Sequence, residues 1–247
     1  MDPVSSCFSH PFISPSNPLT DENASLRSKI LSTPPYTASG LWEEGPEFIS
    51  IHTHVHEILP HVYLGNYRAY LSVDPQFIQK YPMVDRPEEI FDGPPKQEVL
   101  DKIDQKGCSE LNIQIILSIT DFHPGEGVPL DDWSRFKPQL SGIQHARVPV
   151  DDLDCSWEQI EPHLETLFSH IDQARDQKKN LLIHCVQGVS RSPAVLIAYL
   201  ISRCAVPFEK GLDYVQSIRH QVSIKPSWVG DDHRGIKRFE KKNIPIL

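Results

Sequence analysis

The stretch Leu181-Leu182-Ile183-His184-Cys185-Val186-Gln187-Gly188-Val189-Ser190-Arg191-Ser192-Pro193, continued by the apolar run Ala194 to Ile201, decides the fold of this chain. Leu181 to His184 has the length and apolar character of a short buried strand. Ser192 to Arg203 reads as an apolar helix, and Pro193 suits its first turn. A strand that passes directly into a helix delivers Cys185 to the carboxyl edge of a sheet, where open sheets bind ligands. The helix N-terminus and the backbone N–H groups before it form a cradle for an anion. Gly188 permits a loop conformation closed to most side chains. A thiol in such an electropositive bowl titrates at about 3.5–7.5, so Cys185 is expected to be a thiolate at neutral pH. Arg191 can fork two N–H groups onto phosphate oxygens, which lysine cannot do in the same geometry. Ser192 lies where its hydroxyl can bond the sulfur and help it leave. Val186, Gln187, Gly188, Val189, Ser190 and Arg191 are the expected phosphate-binding positions. His184 is read as a supporting hydrogen bond that fixes the loop and tunes the sulfur, not as a base or a metal ligand.

Outward from this loop, strands and helices alternate. Residues 56–65 read as two short strands around a turn, with a helix following over 66–71. Residues 113–119, IQIILSI, are a buried strand, and 144–150 a further one. Ile160, Leu164, Leu167, Phe168, Ile171 and Ala174 fall at helical spacing and predict one helix over 158–177. Further helices are expected at 98–103, 208–220 and 227–242. Alternation of this kind predicts an α/β fold with a central, mostly parallel, twisted sheet flanked by helices. Residues 1–50, rich in Pro, Ser and Thr, predict a flexible arm before a domain over 51–247. Residues 73–97 read as an irregular insertion and 122–142 as a long polar loop.

Composition narrows the chemistry. The formal charge is −9, from 33 acidic and 24 basic residues, which disfavours nucleic acid as a partner. The five cysteines show no Cys-x-x-Cys pair and no disulfide framework, so neither zinc nor an oxidised scaffold is expected. His52, His54 and His56 alternate, but no carboxylate or second histidine motif accompanies them; a structural strand is the preferred reading. The longest apolar run is too short to span a bilayer, and neither a signal peptide nor a membrane anchor is expected. Cytoplasmic or nuclear residence fits best.

The form HCxxGxSRS followed by PAVLIAYLI resembles the dual-specificity phosphatases of the protein tyrosine phosphatase superfamily. EILPHVYLGNYRAYL, IILSIT, VPVDD and SIKPSWVGDDHRGIKRFE resemble the family's opening strands, central strand, general-acid turn and C-terminal helix. The resemblance covers roughly residues 56–242, outside the insertion and the long loop. It implies a cofactor-free phosphatase with Cys185 as nucleophile, Arg191 on the phosphate, Ser192 assisting the sulfur, and phosphorylated proteins as substrates. It places the general acid on Asp152, with Asp151 and Asp154 as neighbours; helix capping is the simpler role for Asp154 and Ser156. Cys155 is a weak candidate to trap an oxidised Cys185 as a disulfide. Two other functions stay open: a phosphatase of phosphoinositides or RNA 5′-phosphates, and a module that only recognises phosphorylated partners. The uncharged Val186, Gln187 and Val189 favour phosphoprotein over polyphosphate ligands.

Overall fold

Among the described residues, five strands form one sheet: β1 (Val55–Leu59), β2 (Val62–Gly65), β3 (Ile113–Ile119), β4 (Gln144–Val148) and β5 (Asn180–His184). Their order is β1-β2-β5-β3-β4. Only β1 and β2 run antiparallel; β2 with β5, β5 with β3 and β3 with β4 are parallel. This computed structural model describes residues 19–36, 55–76, 108–120, 138–150, 157–231 and 233–244. The expected helix at 98–103 lies outside them. So do most of the insertion, most of the long loop, and residues 1–18 and 37–54 of the sequence before β1.

The two-residue period of β5 and β3 sorts the molecule into two layers. Leu181, Ile183 and Cys185, with Ile115, Leu117 and Ile119, face the larger core. Leu182 and Ile116 face a smaller one built on α2 (Tyr67–Leu71), capped by the Asn66 side chain, which accepts from Ala69 N at 2.9 Å. His184 and Ser118 share that second face, and this alternation carries them away from the Cys185 thiol.

Helix α5 (Arg191–Cys204) is buried on every side from Arg191 to Ile201. A helix apolar all round must be enclosed, and the sheet, α4 (Leu164–Asp176), α6 (Phe208–Ile218), α8 (Gly235–Asn243) and α1 (Asp21–Leu31) enclose it. Two expected helices are divided. The one over 158–177 splits into α3 (Trp157–Ile160), a 3₁₀ turn at Glu161–His163 and α4, because Pro162 has no N–H to give the preceding turn. The one over 227–242 splits into α7 (Pro226–Val229) and α8, because Gly230 and Gly235 both take positive φ, 67° and 71°. A Cβ on Gly235 would sit 2.7 Å from the carbonyl oxygen of Trp228.

Residues 19–36 correct the expectation of an unstructured arm. Thr20 caps α1 through Asn23 N, and the helix places Leu26 and the fully buried Ile30 in the larger core. Arg175, enclosed beneath it, bonds Glu22 at 2.5 Å, Asn23 at 2.8 Å and the Tyr199 hydroxyl at 2.7 Å. Further on, Lys210 donates to Thr33 O, Tyr36 N donates to Asp213, and the Tyr36 ring stacks on His220 with centroids 5.7 Å apart. Proline and serine content gave no account of this two-residue apolar anchor. Ile30→Ala is expected to lower the unfolding free energy by about 2–4 kcal/mol. Urea denaturation reads the change; a midpoint equal to the wild type's would mean that α1 adds nothing to the core.

Candidate active site

β5 lies between β2 and β3, so its carboxyl end opens at the middle of the sheet. Cys185 follows it at once, and α5 begins six residues later. The loop between them is held by its carbonyl oxygens. Tyr67 N takes Val186 O at 2.9 Å, Arg219 Nη2 takes Gln187 O at 3.4 Å, Arg219 Nε takes Gly188 O at 3.0 Å, and Ser223 N takes Val189 O at 2.9 Å. Four successive carbonyls drawn outward turn the alternate side of the peptide planes, the N–H groups, towards the bowl. Ser190 completes the anchoring, since its hydroxyl accepts from Lys225 N at 3.1 Å. Gly188 has φ 67°, and a Cβ there would meet Gly65 O at 2.5 Å and the Arg219 guanidinium at 2.8 Å. No side chain fits that position. Val186 and Gln187 are exposed at the rim, Val189 is half-buried, and Gly188 and Ser190 are buried.

Cys185 is 2 % exposed, and its sulfur accepts from Gly188 N at 3.2 Å and from the Ser192 hydroxyl at 3.3 Å. Burial alone would push this thiol up. The Ser192 hydroxyl, the Arg191 guanidinium and the N–H groups of Ser192 and Gly188 outweigh it and bring the thiol below its usual range. These are hydrogen bonds and a charge that favour the ionised form. Arg191, 2 % exposed, donates Nη1 to Val150 O at 2.9 Å, which ties the guanidinium to the segment leaving β4. Asp152, Asp151, Asp154 and Cys155 lie outside the described residues.

His184 points to the other face of the sheet. Its Nδ1 lies 3.2 Å from Cys185 O and its Nε2 2.6 Å from the Ser118 hydroxyl, which in turn lies 2.8 Å from His145 Nε2. The Tyr70 ring stacks on it at 4.7 Å. Burial, partly offset by the bond to the Cys185 carbonyl, pushes His184 down to about 3, so the ring is neutral. A neutral ring here donates Nδ1–H to the carbonyl and accepts from Ser118 at Nε2. It bonds the carbonyl of the loop's first residue. Ser118, His145, Tyr67 and Arg219 were not among the expected residues; each bonds backbone or a neighbour through distant pairing that no local motif encodes.

His56 is likewise pushed down to about 4, by burial first and then by Arg219 and His220. Both histidines therefore hold fewer protons folded than unfolded between their folded values and 6.5. Stability then rises with pH in that window and is lost as pH falls from about 6.5 towards about 4. Urea midpoints at pH 7 and pH 5 should show the loss, and His56→Gln should reduce it. An identical slope in His56→Gln would remove His56 from the effect.

Among the described residues no cluster of His, Cys, Asp and Glu could hold a metal ion, and no helix is long and apolar enough to cross a membrane. Residues 100–231, just over half of the chain, match the model of the dual specificity phosphatase catalytic domain. Dual specificity protein phosphatase 1B of Arabidopsis thaliana is 30% identical over 92 residues, covering 37% of this chain and 53% of the plant protein. Dual specificity protein phosphatase 16 of Homo sapiens is 31% identical over 107 residues, 43% of this chain and 15% of the human protein. The chain thus spans about half the length of the first relative and a small part of the second. The crystal structure of human DUSP28 is 18% identical, with a TM-score of 0.48 over 77% of this chain and 92% of that one.

Proposed function

Because the chain belongs to the dual specificity phosphatase family, we propose that it hydrolyses phosphotyrosine and phosphoserine or phosphothreonine in proteins through a phosphocysteine intermediate. The observation that supports this most is the loop itself. Its carbonyls are held outward, a thiol of lowered pKa sits at its base, and a buried arginine stands at its exit.

The sulfur of Cys185 attacks phosphorus in line, forming an S–P bond as the ester P–O bond breaks. Arg191 and the inward N–H groups neutralise the charge spreading over the equatorial oxygens. Asp152 gives its proton to the departing oxygen. Water then attacks the phosphorus, the Asp152 carboxylate takes its proton, and the S–P bond breaks to release inorganic phosphate. The Ser192 hydroxyl, already on the sulfur, stabilises the returning thiolate. Such a thiolate suits a reducing compartment, cytoplasm or nucleus. The exposed rim positions Val186 and Gln187 carry no charge, which favours a phosphorylated protein over a polyphosphate needing several cations.

Turnover of a phosphopeptide panel and a phosphoinositide panel tests the substrate class. Activity on phosphopeptides is expected, and activity confined to the lipids would overturn the reading. The acid is tested separately. Asp152→Asn is expected to lower kcat by about 10²–10⁴-fold on alkyl phosphates, with Asp154→Asn near wild type. Full turnover by Asp152→Asn together with loss in Asp154→Asn would move the acid to Asp154.

A further inference from the structure

Arg219 is fully buried at the end of α6, where it reaches the phosphate loop. Its guanidinium is spent on that loop. Nε donates to Gly188 O at 3.0 Å, Nη2 to Gln187 O at 3.4 Å, and Nη1 meets His56 Nδ1 at 3.0 Å. A neutral His56 can accept there, which orients the third arm of the fork. Nη2 also lies against the Cα of Gly188, where a Cβ would be only 2.8 Å away.

Burying a cation among carbonyls and an imidazole is costly unless its bonds are made. Its enclosure lowers its own pKa to about 10, offset in part by attraction to the Cys185 sulfur. It remains charged at neutral pH, on the far side of the loop from Arg191.

We propose that Arg219 is a positioning residue for Cys185: it holds the Gln187 and Gly188 carbonyls outward, so that Gly188 N–H stays on the sulfur. This rests on the reading of Cys185 as the nucleophile, but two of its readouts need no turnover. Among the described residues, His56 meets the guanidinium and interacts in turn with His220, and the Cys185 sulfur attracts it.

The experiment compares full-length wild type, Arg219→Lys and Arg219→Ala. Three quantities are read: the pH profile of iodoacetamide alkylation at Cys185, the affinity for tungstate, and kcat and KM on an aryl phosphate. Lysine keeps a charge in the cavity but cannot grip two carbonyls. Groups one step behind a site typically change affinity or activity about 10- to 100-fold. Arg219→Lys is therefore expected to bind tungstate about tenfold more weakly, to raise KM as well as lower kcat, and to shift the alkylation profile to higher pH. Methylguanidinium should move Arg219→Ala back towards wild type. A merely structural role would reduce the folded fraction, leaving the alkylation profile and tungstate affinity of the folded protein unchanged. That outcome in Arg219→Lys, or no recovery of Arg219→Ala by methylguanidinium, overturns the proposal. Wild type that binds tungstate and alkylates at low pH but turns over no ester would overturn the phosphatase reading alone.

Discussion

Cys185→Ser loses turnover of an aryl phosphate by about 10⁴-fold or more, with its thermal midpoint near the wild type's. The reason lies in what surrounds the sulfur. A hydroxyl reacts only if a base takes its proton, and no such base faces Cys185 among the described residues. His184, the obvious candidate in sequence, turns its nitrogens to Cys185 O and to Ser118 on the opposite face of the sheet. The site activates its nucleophile by lowering the thiol pKa through Ser192, Arg191 and the loop N–H groups. That device favours the ionised form of a thiol but leaves an alcohol protonated. Tungstate should still bind the serine variant, because the loop N–H groups and Arg191 remain. Steady-state rates with p-nitrophenyl phosphate decide the matter; turnover within tenfold of wild type would transfer the nucleophile's role elsewhere.

Arg191→Lys is the second large effect, a fall of about 10²–10³ in kcat/KM. Arg191 donates Nη1 to Val150 O, and its guanidinium holds its N–H groups in one rigid plane. A lysine ammonium has no rigid fork with which to meet the Val150 carbonyl and a phosphate together. The substitution therefore weakens two things, the charge on the equatorial oxygens and the tie between the loop and the segment leading to Asp152. A drop in both kcat and tungstate affinity is expected. A fall in kcat with unchanged tungstate affinity would confine Arg191 to the second of those roles.

The central loop was legible because its chemistry is local. Strand, cysteine, glycine, arginine and helix follow one another within a dozen residues, and the structure places them as that order requires. The parallel sheet was legible for the same reason, since β3 and β5 declare themselves through the apolar cores Ile115 to Leu117 and Leu181 to Ile183. The elements that failed were those set by distant partners. Pro162 and the pair Gly230 and Gly235 divide helices whose apolar spacing runs on through them. Helix α1 carries only Leu26 and Ile30 as anchors, too few to show as periodicity, and its place is fixed by Arg175 and Ala205, far along the chain. Arg219 was not singled out in the sequence, because its contacts include loop carbonyl oxygens, which a sequence does not display.

The strap formed by α1 sets an order on the birth of the molecule. Glu22 leaves the ribosome long before Arg175, its partner 153 residues later. The apolar anchors Leu26 and Ile30 therefore wait, solvated, until α4, α5 and α6 have been made and packed. Contacts of such long span are late in folding, and waiting apolar surface is the kind that chaperones hold and that aggregates capture. A segment made before α5 is thus expected to be seated after it, and the enclosure of α5 is finished only when residues 21–31 return to it.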